Sequence, residues 1–333
     1  MIRPTSENQI ASFRAGRVPS VEFVRDDVWA VGMGMPGGHI PYSLLYLVHD
    51  ENHAWHIIDP GWDSDDNWTA LLGALDSIGA RMHDIRSITA THLHPDHIGM
   101  ASRLQHATGA ELRVHHAEAL ALDHGAASPA VIGDQLERWG VPAPRQEELR
   151  RFVEDAPEVP AISVDSTVRD GEVLDIPGFE LVVMHTPGHT PGHISLREDA
   201  RSLMFTGDHV LPTIHAGIGL GGVTRSNPLA DYLHSLQRMA QFADHEVLPG
   251  HGYRFTGLAT RAKASAEHHL RRSREVALIL DETPDATTWQ IASQLTWTAG
   301  WENLSGFYVY SALSQTDVHR GFVAGGGLDI RDE

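Results

Sequence analysis

The sequence predicts a mixed α/β fold followed by an all-helical tail. Three observations carry that expectation. Strand-like and helix-like runs alternate in two blocks, about residues 20–115 and 165–255. In both blocks, metal-competent side chains follow directly on strand-like runs, the place where α/β folds put their sites. From about Gly257 onward, the runs carry helical spacing only.

In chain order, VEFVRDDVWAVGM and YSLLYLVHD are rich in β-branched and aromatic residues and read as strands, broken by the Met35–Pro41 loop. AWHIIDPG reads as a buried strand ending in Asp59-Pro60-Gly61. Trp68–Gly79 has helical spacing and a closing glycine suited to a C-cap. DIRSITATHLHPDH is a strand running into a histidine-rich loop, and IGMASRLQHATG is a helix closed by Gly109. Residues 117–165 break the alternation with Ser-Pro, Val-Pro and Ala-Pro steps around helical stretches near Ala130–Trp139 and Gln146–Glu154. We read them as a helical insertion, a lid over a site. GFELVVMH, HISLRE and SLMFTGD restore strand character, Pro228–Phe242 reads as a helix, and HEVLP as a short strand. The expected organisation is a catalytic domain over residues 1–256, with the insertion at about 117–165, and an accessory helical domain over residues 257–333.

Composition narrows the function. The 333 residues carry 25 Lys+Arg against 44 Asp+Glu, a formal charge of −19. Such a surface repels phosphate backbones and anionic lipid, which disfavours nucleic-acid and membrane partners and favours a small-molecule substrate; a homodimer stays open. The absence of cysteine excludes disulfides, thiolate nucleophiles and sulfur ligation by Cys. No signal-peptide core and no long apolar run is present, so a cytoplasmic location is expected. Histidine is the unusual number, at 23, and directs attention to metal or proton chemistry.

The decisive segment is Thr91-His92-Leu93-His94-Pro95-Asp96-His97. On extended backbone, His92 and His94 point the same way. Pro95 then starts the next element, and the turn sends Asp96 and His97 elsewhere. One loop thereby offers two ligands to one ion and two to a neighbour. Three more segments repeat the strand, turn, ligand form: His189 after VVMHTPG, Asp208 after LMFTG and His251 after VLPG. A glycine before each allows close backbone approach.

These residues, in this order, resemble the metallo-β-lactamase superfamily in its glyoxalase II-like branch, over roughly residues 20–255. The resemblance implies an αβ/βα four-layer sandwich with metals at the edge between two sheets. It implies one ion held by His92, His94 and His189, a second by Asp96, His97 and His251, and Asp208 bridging both. Asp59 matches the family's acidic position that orients the ligand loop without binding metal. Ligation by nitrogen and oxygen suits Zn²⁺ first, with iron or manganese as alternatives. Two such ions acidify a bridging water, and the hydroxide attacks an electrophilic carbon or phosphorus. Asp96 is the candidate to orient that nucleophile or take its proton.

Departures from relatives shape the expected reaction. Resistance lactamases typically use Cys, or lack an Asp, where Asp208 stands. Flavin-linked di-iron relatives have Glu at the position of His94, and quorum-signal lactonases carry Tyr where Leu211 stands. A small acyl ester, thioester or lactone is therefore expected. A mononuclear-iron persulfide dioxygenase and a metal-dependent phosphodiesterase or nuclease are the rivals; a single lysine (Lys263) and the negative charge count against the last. His193 is a candidate support or pocket residue, His39 and His215 in glycine-rich loops are candidate substrate-pocket residues, and Arg225 is the candidate for an anionic substrate group or a surface ion pair. The tail resembles the winged-helix-like C-terminal region of some of these hydrolases, with Trp297, Trp301, Phe307 and Tyr308 as candidate apolar lining of the site or as the tail's own core.

Overall fold

The computed structural model describes residues 1–37, 40–124, 129–154, 162–222 and 224–328. The chain opens with β1 (Arg3–Pro4) and α1 (Glu7–Arg14), whose N-cap Ser6 accepts from the Gln9 amide. Four strands follow: β2 (Glu22–Arg25), β3 (Val28–Gly34), β4 (Tyr42–His49) and β5 (Trp55–Ile58). Helix α2 (Asp65–Ser77) begins earlier than its apolar spacing suggests, because Ser64 caps it through the Asn67 amide. Then come β6 (Ile85–Thr89), the short α3 (Pro95–Ile98), α4 (Ala101–Thr108), β7 (Glu111–His115) and α5 (His116–His124). The insertion contains α6 (Pro129–Arg138) and α7 (Ala143–Glu154). The second block is β8 (Ser166–Val168), β9 (Val182–His185), β10 (Ile194–Glu198), β11 (Leu203–Gly207), α8 (Pro228–Met239), β12 (Glu246–Pro249) and β13 (Phe255–Thr256). The tail holds α9 (Leu258–Glu282), α10 (Thr288–Gln294) and α11 (Gly306–Ala324).

The strands form two sheets. One is seven-stranded in the order β2-β3-β4-β5-β6-β7-β8, and the other six-stranded in the order β1-β13-β12-β11-β10-β9. Strand alternation builds the layers. Leu45 and Leu47 of β4 face α2 and α4 with Ile57, Ile88, Leu71 and Leu104. Leu44 and Tyr46 face the other way and meet Leu196, Phe205 and Leu248 between the sheets. On the far side, Met204 and Val247 pack under Tyr232 and Leu236 of α8 and Leu258 of α9. The result is four layers, helix, sheet, sheet, helix, as expected.

The insertion and the tail share a core. Leu136, Trp139 and Leu149 pack with Ala292, Val309 and Leu313, while Phe322 of α11 reaches into the fourth layer. Trp297 and Trp301 belong to this packing, and Phe307 and Tyr308 stand half-exposed on α11. Among its described residues the tail is helical and has no strand, so its winged-helix likeness extends to helices alone.

Candidate metal centre

The parallel pairing of β5 with β6 brings Asp59 beside Thr91 at the ends of adjacent strands. Pro95 opens α3 with His94 as its N-cap, so the chain turns between His94 and Asp96. The parallel pairing of β11 with β12 carries Asp208 and His251 to the same edge. Gly250 permits their approach: a Cβ there would lie 2.6 Å from Asp208 Oδ1 and 2.6 Å from His97 Cε1.

Three imidazole nitrogens converge first. His94 Nδ1 lies 3.0 Å from His92 Nε2 and 3.0 Å from His189 Nε2. The outward nitrogens assign the protons. His94 Nε2 donates to the Leu220 carbonyl at 2.8 Å, and His189 Nδ1 to the Gly217 carbonyl at 2.6 Å. Thr91 gives its hydroxyl proton to Asp59 Oδ2 (2.8 Å), so its oxygen accepts from His92 Nδ1 (3.0 Å). Each inward nitrogen therefore presents a lone pair. Burial lowers the pKa of all three rings, with neighbouring imidazoles adding to the effect; His189 falls to about 4. Three neutral rings pointing lone pairs at one another repel unless a cation lies between them. Donors about 2.0–2.1 Å from a tetrahedral Zn²⁺ stand about 3.3 Å apart, so this spacing fits such an ion.

The second cluster carries the charge. His251 Nε2 lies 3.1 Å from Asp96 Oδ2 and 3.3 Å from Asp208 Oδ1, and His97 Nε2 lies 3.3 Å from Asp208 Oδ1. Their outward nitrogens are again committed, His97 Nδ1 to Asp59 Oδ2 at 2.8 Å and His251 Nδ1 to the Tyr42 carbonyl at 2.8 Å. Burial lowers the pKa of His251, but Asp208 and Asp96 outweigh it and lift the ring to about 10; the same carboxylates raise His97. A buried site that draws protons this strongly draws divalent cations by the same field. Asp208 stands between the clusters, with Oδ2 3.8 Å from His189 Nε2 and Oδ1 3.3 Å from both His97 and His251. The donor sets His92/His94/His189, His92/His97/Asp208 and Asp96/His97/His251 each fit a metal ion.

The remaining expected residues fall in different places. Asp59 binds no inward atom but holds His97 and Thr91. His193 is fully buried behind Asp208, whose amide donates to its Nε2 at 3.2 Å. His215 turns toward α9, with Nδ1 3.2 Å from Ser265 Oγ and its ring stacked 4.0 Å from His268. Arg225 is exposed in the loop before α8, and His39 lies outside the described residues.

One supporting residue escaped the sequence reading. Glu118 of α5 is wholly buried, and its carboxylate accepts the amides of Leu93 (2.8 Å) and Gly192 (2.5 Å), tying the two histidine loops together. Burial pushes its pKa up to about 7. Only tertiary contact reveals it, since nothing in HHAEALALDH marks one acid as special. Separately, a cavity of about 510 Å³ opens at the opposite end of β5 and β6, lined by Asp50, His56, Ser87, Arg86 and Arg113. It shares no residue with the histidine cluster.

Known proteins give an independent comparison. The family model described as Metallo-beta-lactamase superfamily matches residues 41–251. "Probable metallo-hydrolase YqjP" of Bacillus subtilis is 27% identical over 289 residues, covering 81% of this chain and 85% of that one. "Acyl-coenzyme A thioesterase MBLAC2" of Gallus gallus is 33% identical over 166 residues; the match covers 49% of this chain and 54%, about half, of that relative. "Hydroxyacylglutathione hydrolase GloC" of Haemophilus influenzae is 27% identical, over 56% of this chain and 72% of that one. Among solved structures, a beta-lactamase domain protein from Burkholderia ambifaria superposes with a TM-score of 0.79 at 27% identity, covering 94% of this chain and 90% of that one.

Proposed function

The chain belongs to the metallo-β-lactamase superfamily, and on that premise we propose that it is a binuclear metal-dependent hydrolase of small acyl thioesters, with esters and lactones as lesser substrates. The observation that carries this is the double cluster: three inward lone pairs on one side, two histidines with Asp96 on the other, and Asp208 between. In this reading His92, His94 and His189 hold one ion, Asp96, His97 and His251 the other, and Asp208 both. Two carboxylates on a site of neutral rings offset part of the ionic charge. Zinc suits the donors best.

Bound divalent ions supply the charge that acidifies water and polarises a carbonyl oxygen. The protein contributes the rest. Asp96, partly exposed, is the group placed to orient a water or receive its proton. Asp59 and the Gly217, Leu220 and Tyr42 carbonyls keep each ring in the tautomer that ligation requires. Arg225, exposed and near the Leu220 loop, is the candidate for an anionic group on the substrate's leaving arm.

The thioester preference rests on the names of two relatives, a thioesterase and a hydroxyacylglutathione hydrolase. The two-ion reading rests on the second cluster, whose donors stand 3.1–3.6 Å from one another and offer a second ion ligands of its own. The test is metal quantitation coupled to turnover on acyl thioesters, lactones, phosphodiesters and β-lactams. Two ions per chain with fastest thioester cleavage are expected. Full turnover after exhaustive chelation overturns the proposal, as does one iron with thiol-dependent oxygen uptake.

A further inference from the structure

We propose that tail helix α11 is a clamp that positions one of the two metal subsites, His92/His94/His189, and leaves the other alone. The inference rests on the binuclear reading and deepens it. Its starting point is the loop at residues 216–222. The Gly217 carbonyl accepts from His189 Nδ1 and the Leu220 carbonyl from His94 Nε2. The same loop also bonds backbone to backbone with the His189 turn, from Gly219 N to Gly188 O and from Leu220 N to His189 O, both at 2.8 Å. Two rings of the first subsite thus take their orientation from this loop.

A glycine-rich loop with no helix or strand of its own cannot hold carbonyls in place unaided. Here α11 closes over it. Gly219 sits at φ +73° so close to α11 that a Cβ would lie 2.9 Å from Val318 Cγ2. Ser314 Oγ reaches the Gly219 carbonyl at 3.5 Å. Beyond the loop, at the start of α8, Asn227 uses its two side-chain atoms differently. Oδ1 caps α8 by accepting the Leu229 and Ala230 amides, and Nδ2 donates to the Val318 carbonyl at 3.0 Å. Gly321 of α11 leaves the space for that amide.

Among the described residues the second subsite has no such link to α11. His97 is held by Asp59, and His251 by the Tyr42 carbonyl of β4, both within the sandwich. Loosening α11 should therefore weaken one ion and spare its neighbour. Asn227→Asp keeps the helix cap but removes the donor to Val318. Val318→Ala removes the packing on Gly219. Leu75→Ala, in the core between α2 and the first sheet and away from α11, is the control for general destabilisation.

The experiment titrates the metal-free full chain with Zn²⁺ against a chromophoric chelator, with Co²⁺ absorption as a second readout and thermal unfolding as the check on folding. His94→Ala identifies which binding class belongs to the first subsite. In Asn227→Asp and Val318→Ala that class should weaken about ten-fold or more, with an altered Co²⁺ band, while the other moves less than about two-fold. Leu75→Ala should shift neither. Equal weakening of both classes, or of neither, overturns the clamp. If the native chain takes up a single ion, the two-ion reading falls; the clamp then fails too unless both variants weaken that ion.

Discussion

Asp59 accepts a 2.8 Å hydrogen bond from His97 Nδ1 while its own backbone is held at φ +54°. The same carboxylate takes the Thr91 amide at 2.6 Å and hydroxyl at 2.8 Å, and Thr91 in turn accepts from His92. One buried acid thus orients a ring in each subsite. Asp59→Ala should weaken both metal ions about 10–100-fold. Asp59→Asn, which tolerates the left-handed backbone, should fall between. Chelator competition checks this, and a loss confined to one ion would sink it.

The contrast with the clamp shows what was legible in the sequence. His92, His94, Asp96, His97, His189, Asp208, His251 and Asp59 all follow strands within a few residues, so local text places them at one edge once the strands pair. Their partners are a different matter. The carbonyls of Gly217, Leu220 and Tyr42 carry no side-chain signature, and Glu118 matters only because α5 passes under two loops. The layers followed from period-two alternation in β4 and from helical spacing in α2 and α8. The short β1 and α1 had no apolar pattern to betray them. Trp297 and Trp301 read equally well as pocket lining or core, and only packing against the insertion decided it.

Glu118 should be a stability residue with a metal-binding phenotype. Glu118→Ala leaves two buried amides, Leu93 and Gly192, without an acceptor, at a cost of about 2–4 kcal/mol. Glu118→Gln keeps one acceptor and should lose about half as much. Urea unfolding of the metal-free protein measures this. A neutral Glu118→Ala would show that water replaces the carboxylate.

Asp208→Ala removes the carboxylate that stands between the two clusters. Turnover should drop about a thousand-fold or more, since charge stabilisation of several kcal/mol is lost at about 1.4 kcal/mol per decade. Far-UV circular dichroism should be unchanged, because the strands end before this residue. Retention of more than a tenth of the native rate would exclude Asp208 from the working site.

His319 predicts an acid-sensitive tail. Burial, with Arg272 and His268 nearby, lowers its pKa to about 3, and its Nδ1 meets Ser273 Oγ at 2.8 Å. The unfolded ring titrates near 6.5, so below that pH the unfolded chain takes up a proton that the native chain refuses. Stability should therefore fall as pH drops from about 6.5 towards 3, by up to about 1.4 kcal/mol per pH unit from this residue. His319→Asn removes the titrating group. Between pH 7.5 and 5 its loss of stability should be smaller than the native chain's by about 2 kcal/mol. Parallel curves for the two proteins would count against a neutral buried ring.

The insertion and the tail should unfold as one unit. Leu149 and Trp139 of the insertion bury against Leu313 and Val309, and polar ties reinforce the joint: Arg145 donates to the Leu304 carbonyl at 2.7 Å, and Tyr310 Oη to Gln135 Oε1 at 3.1 Å. The tail keeps a smaller cluster of its own around Val276, Ile291 and Leu295, but α11 meets the insertion through the shared one. Leu313→Ala should cost about 2–5 kcal/mol locally, as large-to-small changes in packed cores do. Amide hydrogen exchange should then accelerate together in α6, α7, α10 and α11, while β4, β5 and β11 keep their protection. Faster exchange in α10 and α11 alone would mean that the insertion stands independently on the catalytic layers. In that case the clamp on the Gly217–Leu220 loop would act without any contribution from the insertion.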